Sequence, residues 1–200
     1  MNRRSLLLLA MPAITGCAST RLLAETDDTP ARDYSEEPYP VRRVDRSKFA
    51  ARYHPATLAA AAPERPGSIV VDTANRQLSF VESRKLIRRY GVAVGASGHA
   101  WRGKAVVGRK AAWPAWYPTD EMHAQAPGLP RRIEPGPANP LGARALYLFQ
   151  NGHDTYYRIH GTSEPWTIGT EASSGCIRMI NEDIIDLYGR VAVGAVVLVV

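Results

Sequence analysis

Residues 145–160 read ALYLFQNGHDTYYRIH, and this stretch determines the class of fold that the chain can adopt. Two runs rich in apolar, aromatic and β-branched residues flank Asn151-Gly152, the dipeptide that suits a two-residue type I′ turn. The pattern predicts a β-hairpin, and His160 falls at the end of its second strand.

Further strand patterns surround this hairpin. The runs are SIVVD at residues 68–72, QLSFVES at 77–83, KLIRRYGVAVG at 85–95, KAVVGRK at 104–110 and VAVGAVVLVV at 191–200. Ahead of the last run, NEDIIDLYG predicts a short helix that Asn181 caps and Gly189 ends. The sequence therefore predicts a mainly β domain with one or two short helices.

A long loop interrupts the strands between residues 113 and 140. It contains seven prolines and leaves room for at most one short helix, near residues 120–125. Its aromatic residues, Trp113, Trp116 and Tyr117, are poor choices for a disordered segment. We expect a lid or a wall beside a cleft, with Trp116 in contact with the substrate. The alternative is a loop that packs on the surface for stability alone.

The first 17 residues have the pattern of an export signal. Arg3 and Arg4 form a basic region, residues 6–14 form an apolar segment too short to span a membrane, and Gly16-Cys17 resembles a bacterial lipobox. This pattern predicts an exported protein of the periplasm or cell envelope, with a lipid on Cys17 if cleavage occurs there. Ordinary cleavage a few residues later, a twin-arginine route and a mildly apolar soluble N-terminus are the alternatives.

Residues 18–66 are rich in charged residues, proline and alanine and show no apolar periodicity. They predict an N-terminal arm or linker ahead of a single domain at residues 67–200. The formal net charge of +6 favours contact with anionic envelope polymers. Nucleic acid is not an expected partner, because the chain has no dense Lys/Arg cluster and no nucleic-acid motif.

The second cysteine of the chain lies in SSGCIRM, residues 173–179. If Cys17 is removed or lipidated, Cys176 is alone in an oxidising compartment, where structural cysteines usually pair. It then forms an intermolecular bridge, is buried and inert, or is reactive. The reactive interpretation gains weight because His160, at a strand end, precedes Cys176 by only 16 positions.

The neighbours of Cys176 suit nucleophilic chemistry. An imidazole in reach would take the thiol proton, and the resulting ion pair would lower the pKa of Cys176. The amides of Gly175 and Cys176 would form an oxyanion hole. If residues 176–179 are extended, Arg178 points to the same side as Cys176 and would grip a substrate carboxylate. A surface arginine in a salt bridge is the alternative for Arg178.

At this point the sequence resembles a known family. IHGTSEPWTIGTEASSGCIRM, residues 159–179, is similar to the signature of the L,D-transpeptidase catalytic domain, the YkuD-type domain of bacterial cell walls. NPLGARALYL, residues 139–148, is similar to the segment that precedes the hairpin of that family. The resemblance covers about residues 66–200 and implies a β-sandwich-like fold. Ser174 departs from the pattern, because many members carry histidine there.

The resemblance also implies a reaction. Cys176 would be the nucleophile, His160 the base and then the acid, and the carbonyl of Gly161 would orient the imidazole. The substrate would be a peptidoglycan tetrapeptide stem, which loses its terminal D-alanine and passes as a thioester to an amine acceptor. The remaining candidate site residues are Gly175 and Ser174 for the oxyanion hole or orientation, and Arg178, Thr162 and Trp116 for substrate binding.

No cofactor or metal is expected. The other histidines show no paired spacing and the chain has no Cys-x-x-Cys motif, although a zinc site with a single thiol is conceivable. An envelope protein is a further candidate acceptor. The alternatives for function are an L,D-carboxypeptidase or amidase that uses water, and a non-catalytic wall-binding protein.

Overall fold

Nine strands form one hydrogen-bonded sheet within the part of the chain that the structure describes. The structure is a computed structural model that describes residues 33–59, 62, 64–96, 101–173 and 175–200. The strands are β1 Ala56–Ala59, β2 Ile69–Asp72, β3 Gln77–Ser83, β4 Leu86–Gly91, β5 Gly103–Ala112, β6 Arg144–Gln150, β7 His153–His160, β8 Ile177–Arg178 and β9 Val196–Val199. The two helices are α1 Asp120–Gln125 and α2 Asn181–Arg190.

The strand order is β1-β4-β3-β2-β9-β5-β6-β7-β8. The last strand in sequence, β9, lies at the centre, parallel to β2 and antiparallel to β5. The sheet curls, because Ala93, two residues beyond β4, exchanges two backbone hydrogen bonds of 2.9 Å with Arg178 in β8. This curl brings the short strand β8 into contact with both halves of the sheet.

The core follows from the alternation of apolar residues along the strands. Ile69 and Val71 of β2 and Leu78 of β3 are buried in one cluster with the apolar face of α2. Burial of each such side chain contributes about 1.5–3 kcal/mol to folding. The core therefore fixes β7, which ends at the candidate residue His160, against the rest of the sheet.

The mainly β prediction with one or two short helices is confirmed. The β6–β7 hairpin turns through Asn151 and Gly152, both in the left-handed region with φ of 52° and 81°. The short helix in the proline-rich loop has the predicted bounds. At α2 the prediction was wrong in detail: Ile180 is the N-cap, and the side chain of Asn181 makes no cap.

Residues 33–59, predicted as part of an arm or linker, pack on the domain. The ring of Tyr39 lies 5.0 Å from that of Trp113, and Arg46 is buried against α2. Strand β1, which the sequence did not predict, extends the edge of the sheet at β4. The export signal, Cys17 and residues 18–32 lie outside the described residues. Among the described residues, no helix has the length and apolar character needed to cross a membrane.

Candidate active site

Two bulges align four strands so that one row of side chains ends at Cys176. Gly108 is the extra residue of a bulge in β5, so that Arg109 pairs with Tyr147 of β6. Tyr147 also pairs with Arg158 of β7, next to a second bulge. Because Ile159 and Ile177 are partners in the parallel β7–β8 pair, Cys176 is level with Arg158.

The adjacent row on the same face contains the histidine. Ala145 of β6 pairs with His160, and His160 pairs with Arg178 of β8. Paired residues share a face of the sheet, and so do residues two apart along a strand. The register therefore places His160 and Cys176 on one face of the sheet, in adjacent rows.

The His160 imidazole is buried and uncharged. Its Nδ1 lies 2.6 Å from the carbonyl oxygen of Gly161, so Nδ1 carries the proton and Nε2 presents a lone pair. The side chain is only 4% exposed, and burial lowers its pKa to about 4 against the opposing effect of the Gly161 carbonyl. The charges of Arg178 and Arg158 lower the pKa further.

Asn181 fixes the backbone that holds the imidazole. Its Oδ1 accepts hydrogen bonds from the amides of Ala143 at 2.9 Å and Thr162 at 3.2 Å, and its Nδ2 donates to the Thr162 carbonyl at 3.0 Å. A Cβ on Gly161 would lie 2.1 Å from Oδ1, so this position requires glycine. The sequence had indicated Asn181 only as a helix cap, because its contacts are with a distant strand end.

The Cys176 thiol is also uncharged at neutral pH. Its Sγ is 3.8 Å from the carbonyl oxygen of Tyr156, and burial raises its pKa above the ordinary value of 9.0. A backbone hydrogen bond at Arg158 and the charges of Arg158 and Arg178 lower the pKa but do not outweigh burial. The predicted thiolate–imidazolium ion pair is therefore not the resting state that these pKa shifts favour.

The turn before Cys176 is held by its own hydrogen bonds. Ser173 is buried; its Oγ donates to the Cys176 carbonyl at 2.5 Å and accepts from the Gly175 amide at 3.2 Å. The φ of 126° at Gly175 is disfavoured for residues with a Cβ. The Gly175 amide is thus engaged within the turn, unlike the prediction that it faces the substrate. Ser174 lies outside the described residues.

Cys176 opens into a cavity of about 460 Å³. Trp116 and Tyr117 form one wall, which agrees with the predicted position of the proline-rich loop beside a cleft. Tyr156 lies at the rim with φ of 61° and 78% of its side chain exposed. Its orientation depends on the bulge in β7, which the sequence did not indicate.

Two of the residues predicted to bind substrate, Arg178 and Thr162, do not line the Cys176 cavity. Arg178 binds Glu164 at 2.8 Å, so its guanidinium already has a carboxylate partner. Thr162 lines a second cavity of about 470 Å³ together with Trp166, and its Oγ1 accepts a hydrogen bond from the Glu164 amide at 3.0 Å. Of the three predicted substrate contacts, Trp116 lines the Cys176 cavity.

Comparison with known proteins identifies the family of the domain. A family model of the L,D-transpeptidase catalytic domain, YkuD, matches residues 66–199. The probable L,D-transpeptidase YbiS of Escherichia coli is 46% identical over 92 residues, which cover 44% of this chain and 28% of that protein. The chain thus spans less than a third of that relative's length.

Solved structures share the fold. A Brucella melitensis protein, titled a probable carnitine operon oxidoreductase, is 46% identical, with a TM-score of 0.52, and the match covers 76% of this chain and 96% of that one. The name of that protein denotes a redox activity, which differs from the description of the family. The catalytic domain of the E. faecium L,D-transpeptidase is 19% identical, with a TM-score of 0.51 and coverage of 70% and 100%, and supports the fold alone.

Proposed function

The chain belongs to the YkuD family of L,D-transpeptidase catalytic domains, and we propose that it is a cysteine acyltransferase acting on peptidoglycan stem peptides. The observation that carries this proposal is the register that puts Cys176 and His160 on one face of the sheet, with Nδ1 of His160 held by the Gly161 carbonyl. A non-catalytic wall-binding protein would not need this arrangement of thiol and imidazole.

The first half-reaction starts from the neutral pair. His160 Nε2 takes the proton of the Cys176 thiol as sulfur attacks the carbonyl carbon of the L,D amide. The tetrahedral intermediate collapses when the imidazolium returns the proton to the amine of the terminal D-alanine. The C–N bond breaks, D-alanine leaves, and a thioester joins the rest of the stem to Cys176.

The second half-reaction reverses the proton transfers. An acceptor amine attacks the thioester, His160 takes a proton from that amine, and the thiol is restored when it receives this proton. The neighbouring cations stabilise the thiolate and oppose protonation of the imidazole. Arg158 and Arg178 lower the pKa of Cys176 and of His160, so their charges favour thiolate over thiol and neutral over protonated imidazole.

The remaining predicted residues take supporting roles in this proposal. The Cys176 amide would serve as an oxyanion donor, since the amide of Gly175 is engaged in the turn. Trp116 would cover the bound peptide and exclude water from the thioester. Ser174 and Thr162 would act on the backbone around the nucleophile and the base. No cofactor takes part.

The acceptor decides the biological outcome. An amine of a second stem gives a crosslink, a free D-amino acid gives exchange, and an amine of an envelope protein gives attachment of that protein to the wall. Water as acceptor would make the enzyme an L,D-carboxypeptidase or amidase. The same thiol and imidazole serve all of these, and only the access of water and acceptor differs.

Incubation of the purified full chain with disaccharide tetrapeptides, followed by mass spectrometry, tests the proposal. We expect a crosslinked dimer that lacks one D-alanine and that is absent with Cys176→Ala. A tripeptide product alone would assign the enzyme to the carboxypeptidases. An unchanged substrate mass, with a folded protein, would contradict transfer between stems.

We further propose that the protein is exported and anchored in the cell envelope through lipid on Cys17, which the basic and apolar segments at residues 1–17 support. A labelled fatty acid should enter the wild-type protein and not Cys17→Ser. Equal labelling of both proteins would contradict the lipid anchor, and recovery of the full-length, unprocessed chain from the cytoplasm would contradict export.

A further inference from the structure

Three arginines lie on the same face of the sheet as Cys176, and two of them are paired with carboxylates. Arg158 binds Asp154 through two hydrogen bonds of 2.6 and 2.9 Å. Arg178 binds Glu164 at 2.8 Å. An anionic substrate would have to share or displace a carboxylate that each of these guanidinium groups already binds.

The third arginine, Arg109, differs in this respect. It lines the Cys176 cavity and is exposed, and within the described ranges it has no carboxylate partner. Its guanidinium carbon is 3.4 Å from the ring centre of Tyr147, which is itself buried. Arg109 is on this face only because of the bulge at Gly108: regular alternation from the buried Val107 would have turned it inward.

The stacking prepares the guanidinium for a ligand. The guanidinium lies over the ring of Tyr147, which restricts its motion, and its N–H donors form the fork that matches a carboxylate. Arg158 lies 4.3 Å from the same ring and comes from the opposite neighbouring strand. The ring of Tyr147 is therefore covered by arginines from both neighbouring strands. Because Arg109 is already held by this contact, little conformational entropy is lost when an anion binds.

The position along the row indicates which part of a substrate would meet Arg109. The strands of Arg109 and Cys176 are three spacings apart, which corresponds to roughly 14 Å between the two backbones. The carboxylate of the leaving residue lies only about one residue length, roughly 3.5 Å, from the attacked carbon. Arg109 is thus placed to meet a carboxylate elsewhere in the peptide.

We propose that Arg109, stacked on Tyr147, is the carboxylate-binding and specificity-determining residue of the Cys176 cavity. Its ligand is a carboxylate of the donor stem peptide remote from the amide that is attacked. The proposal rests on the proposed function, because it takes the donor to be a stem peptide. It assigns the role predicted for Arg178 to another arginine.

An equilibrium binding experiment on a variant without the nucleophile tests this proposal independently of catalysis. The probes are a tetrapeptide whose second and third residues carry free carboxylates and two forms in which one or the other is amidated. They are titrated calorimetrically into the full chain carrying Cys176→Ala, alone and combined with Arg109→Gln or Arg109→Lys. Lys104→Gln is the matched control, since it removes one exposed charge from the same strand.

We expect one amidated peptide to bind the Cys176→Ala protein about 10-fold more weakly than the free acid, as loss of a charge-assisted pair implies. In the Arg109→Gln protein the two affinities should become equal. In the Arg109→Lys protein their ratio should be smaller than about 10, because lysine lacks the planar donor fork of arginine, and in the Lys104→Gln protein it should be unchanged. A ratio unchanged by Arg109→Gln would overturn the proposal, and so would equal binding of all three peptides.

A turnover assay of the protein with its native Cys176 then distinguishes failure of the proposed function from failure of the carboxylate site. Discrimination in binding without any transfer product would refute the proposed function and leave the carboxylate site intact. Transfer at equal kcat/KM for all three peptides would refute the carboxylate site and leave the proposed function intact.

Discussion

The Cys176 thiol and the His160 imidazole lie on the same face of the sheet, and burial disfavours the charged form of each. A charged His160 imidazole would require solvation that its buried position does not supply. In our account the proton moves only as the substrate carbonyl accepts electron density. This neutral resting pair has consequences for thiol reactivity and for stability in acid.

Thiol alkylation tests the neutral pair directly. The rate constant for iodoacetamide with Cys176 should rise in a single step above pH 9.0, because burial raises the pKa of this thiol. Rates are measured from pH 4 to 10 by mass spectrometry of the modified peptide. A plateau of high reactivity between pH 5 and 8 would instead indicate the thiolate–imidazolium pair and contradict the account.

The buried imidazole also makes stability depend on pH. The pKa of His160 is about 4 in the folded protein and about 6.5 when unfolded, so the unfolded state binds the proton more readily. The contribution of neutral His160 to the free energy of unfolding is complete above pH 6.5. It is lost as the pH falls through 4, a change of about 3 kcal/mol.

Urea unfolding at pH 7 and pH 4 measures this effect in the wild type and in His160→Gln, which cannot take up the proton. The wild type should lose about 3 kcal/mol more stability than the variant between these two pH values. Equal losses in both proteins would show that His160 is not buried in its neutral form.

At the residue scale the sequence predicted a thiol and an imidazole as the reactive pair, because their identity and spacing are local. It did not identify Arg109 or Tyr156, whose directions depend on bulges in β5 and β7. It also assigned the carboxylate grip to Arg178, since the ion pair with Glu164 follows from tertiary contacts that spacing does not reveal. Alternation along a strand predicts a face only where the strand is regular.

At the scale of elements, the arm is joined to helix α2 by a buried ion pair. Arg46 donates to both carboxylate oxygens of Asp183, at 2.8 and 2.9 Å, and lies 3.4 Å from Glu182. Burial raises the pKa of Asp183 to about 6 although Arg46 opposes the shift. The arm therefore compensates an acidic helix end that would otherwise be buried without a cation.

Substitution of this arginine should destabilise the fold. Arg46→Met leaves buried carboxylates unpaired and should cost about 3–5 kcal/mol at pH 7, measured by urea unfolding. The cost should shrink at pH 5. A carboxyl whose pKa is raised in the folded state stabilises that state below its unfolded pKa of 3.8, and this contribution is lost as the pH rises through about 6.

Lys48→Met is the matched control for this measurement, because Lys48 is exposed in the short 3-10 turn Arg46–Lys48 that also contains Arg46. It should change the free energy of unfolding by no more than about 0.5 kcal/mol. An equal and small effect of both substitutions would mean that the arm does not pack on α2.

At the scale of the whole molecule, the last strand joins the two halves of the sheet. β9 pairs with β2 on one side and β5 on the other, and Val197 and Val199 are buried in the main core. The row of residues that ends at Cys176 runs across β5 to β8, on one side of β9 only. The site therefore depends on a strand that contributes no residue to it.

Removal of residues 196–200 should abolish cooperative unfolding, since it leaves the ladder edges of both β2 and β5 unpaired and empties the centre of the core. Tryptophan fluorescence during urea titration provides the measurement. Val200→Ala, at a side chain that is 55% exposed, should retain a cooperative transition. A cooperative transition in the truncated chain would contradict the central role of β9.

The sequence predicted the hairpin, most strands and α1, because turn residues and alternation are local patterns. Neither the strand order nor the bridge between Ala93 and Arg178 was accessible in this way, since both connect segments distant in sequence. Strand β1 was missed because its four residues lie at an edge, where little alternation is required.

The most direct test of the central claim is the intact mass of the full chain after incubation with a tetrapeptide donor in the absence of acceptor, followed by an acid quench. The account predicts an adduct on Cys176 equal to the donor minus D-alanine, absent in Cys176→Ala and formed roughly 100-fold more slowly in His160→Gln. Release of D-alanine by the wild type with no adduct at any time, or with an adduct that persists in Cys176→Ala, would contradict it.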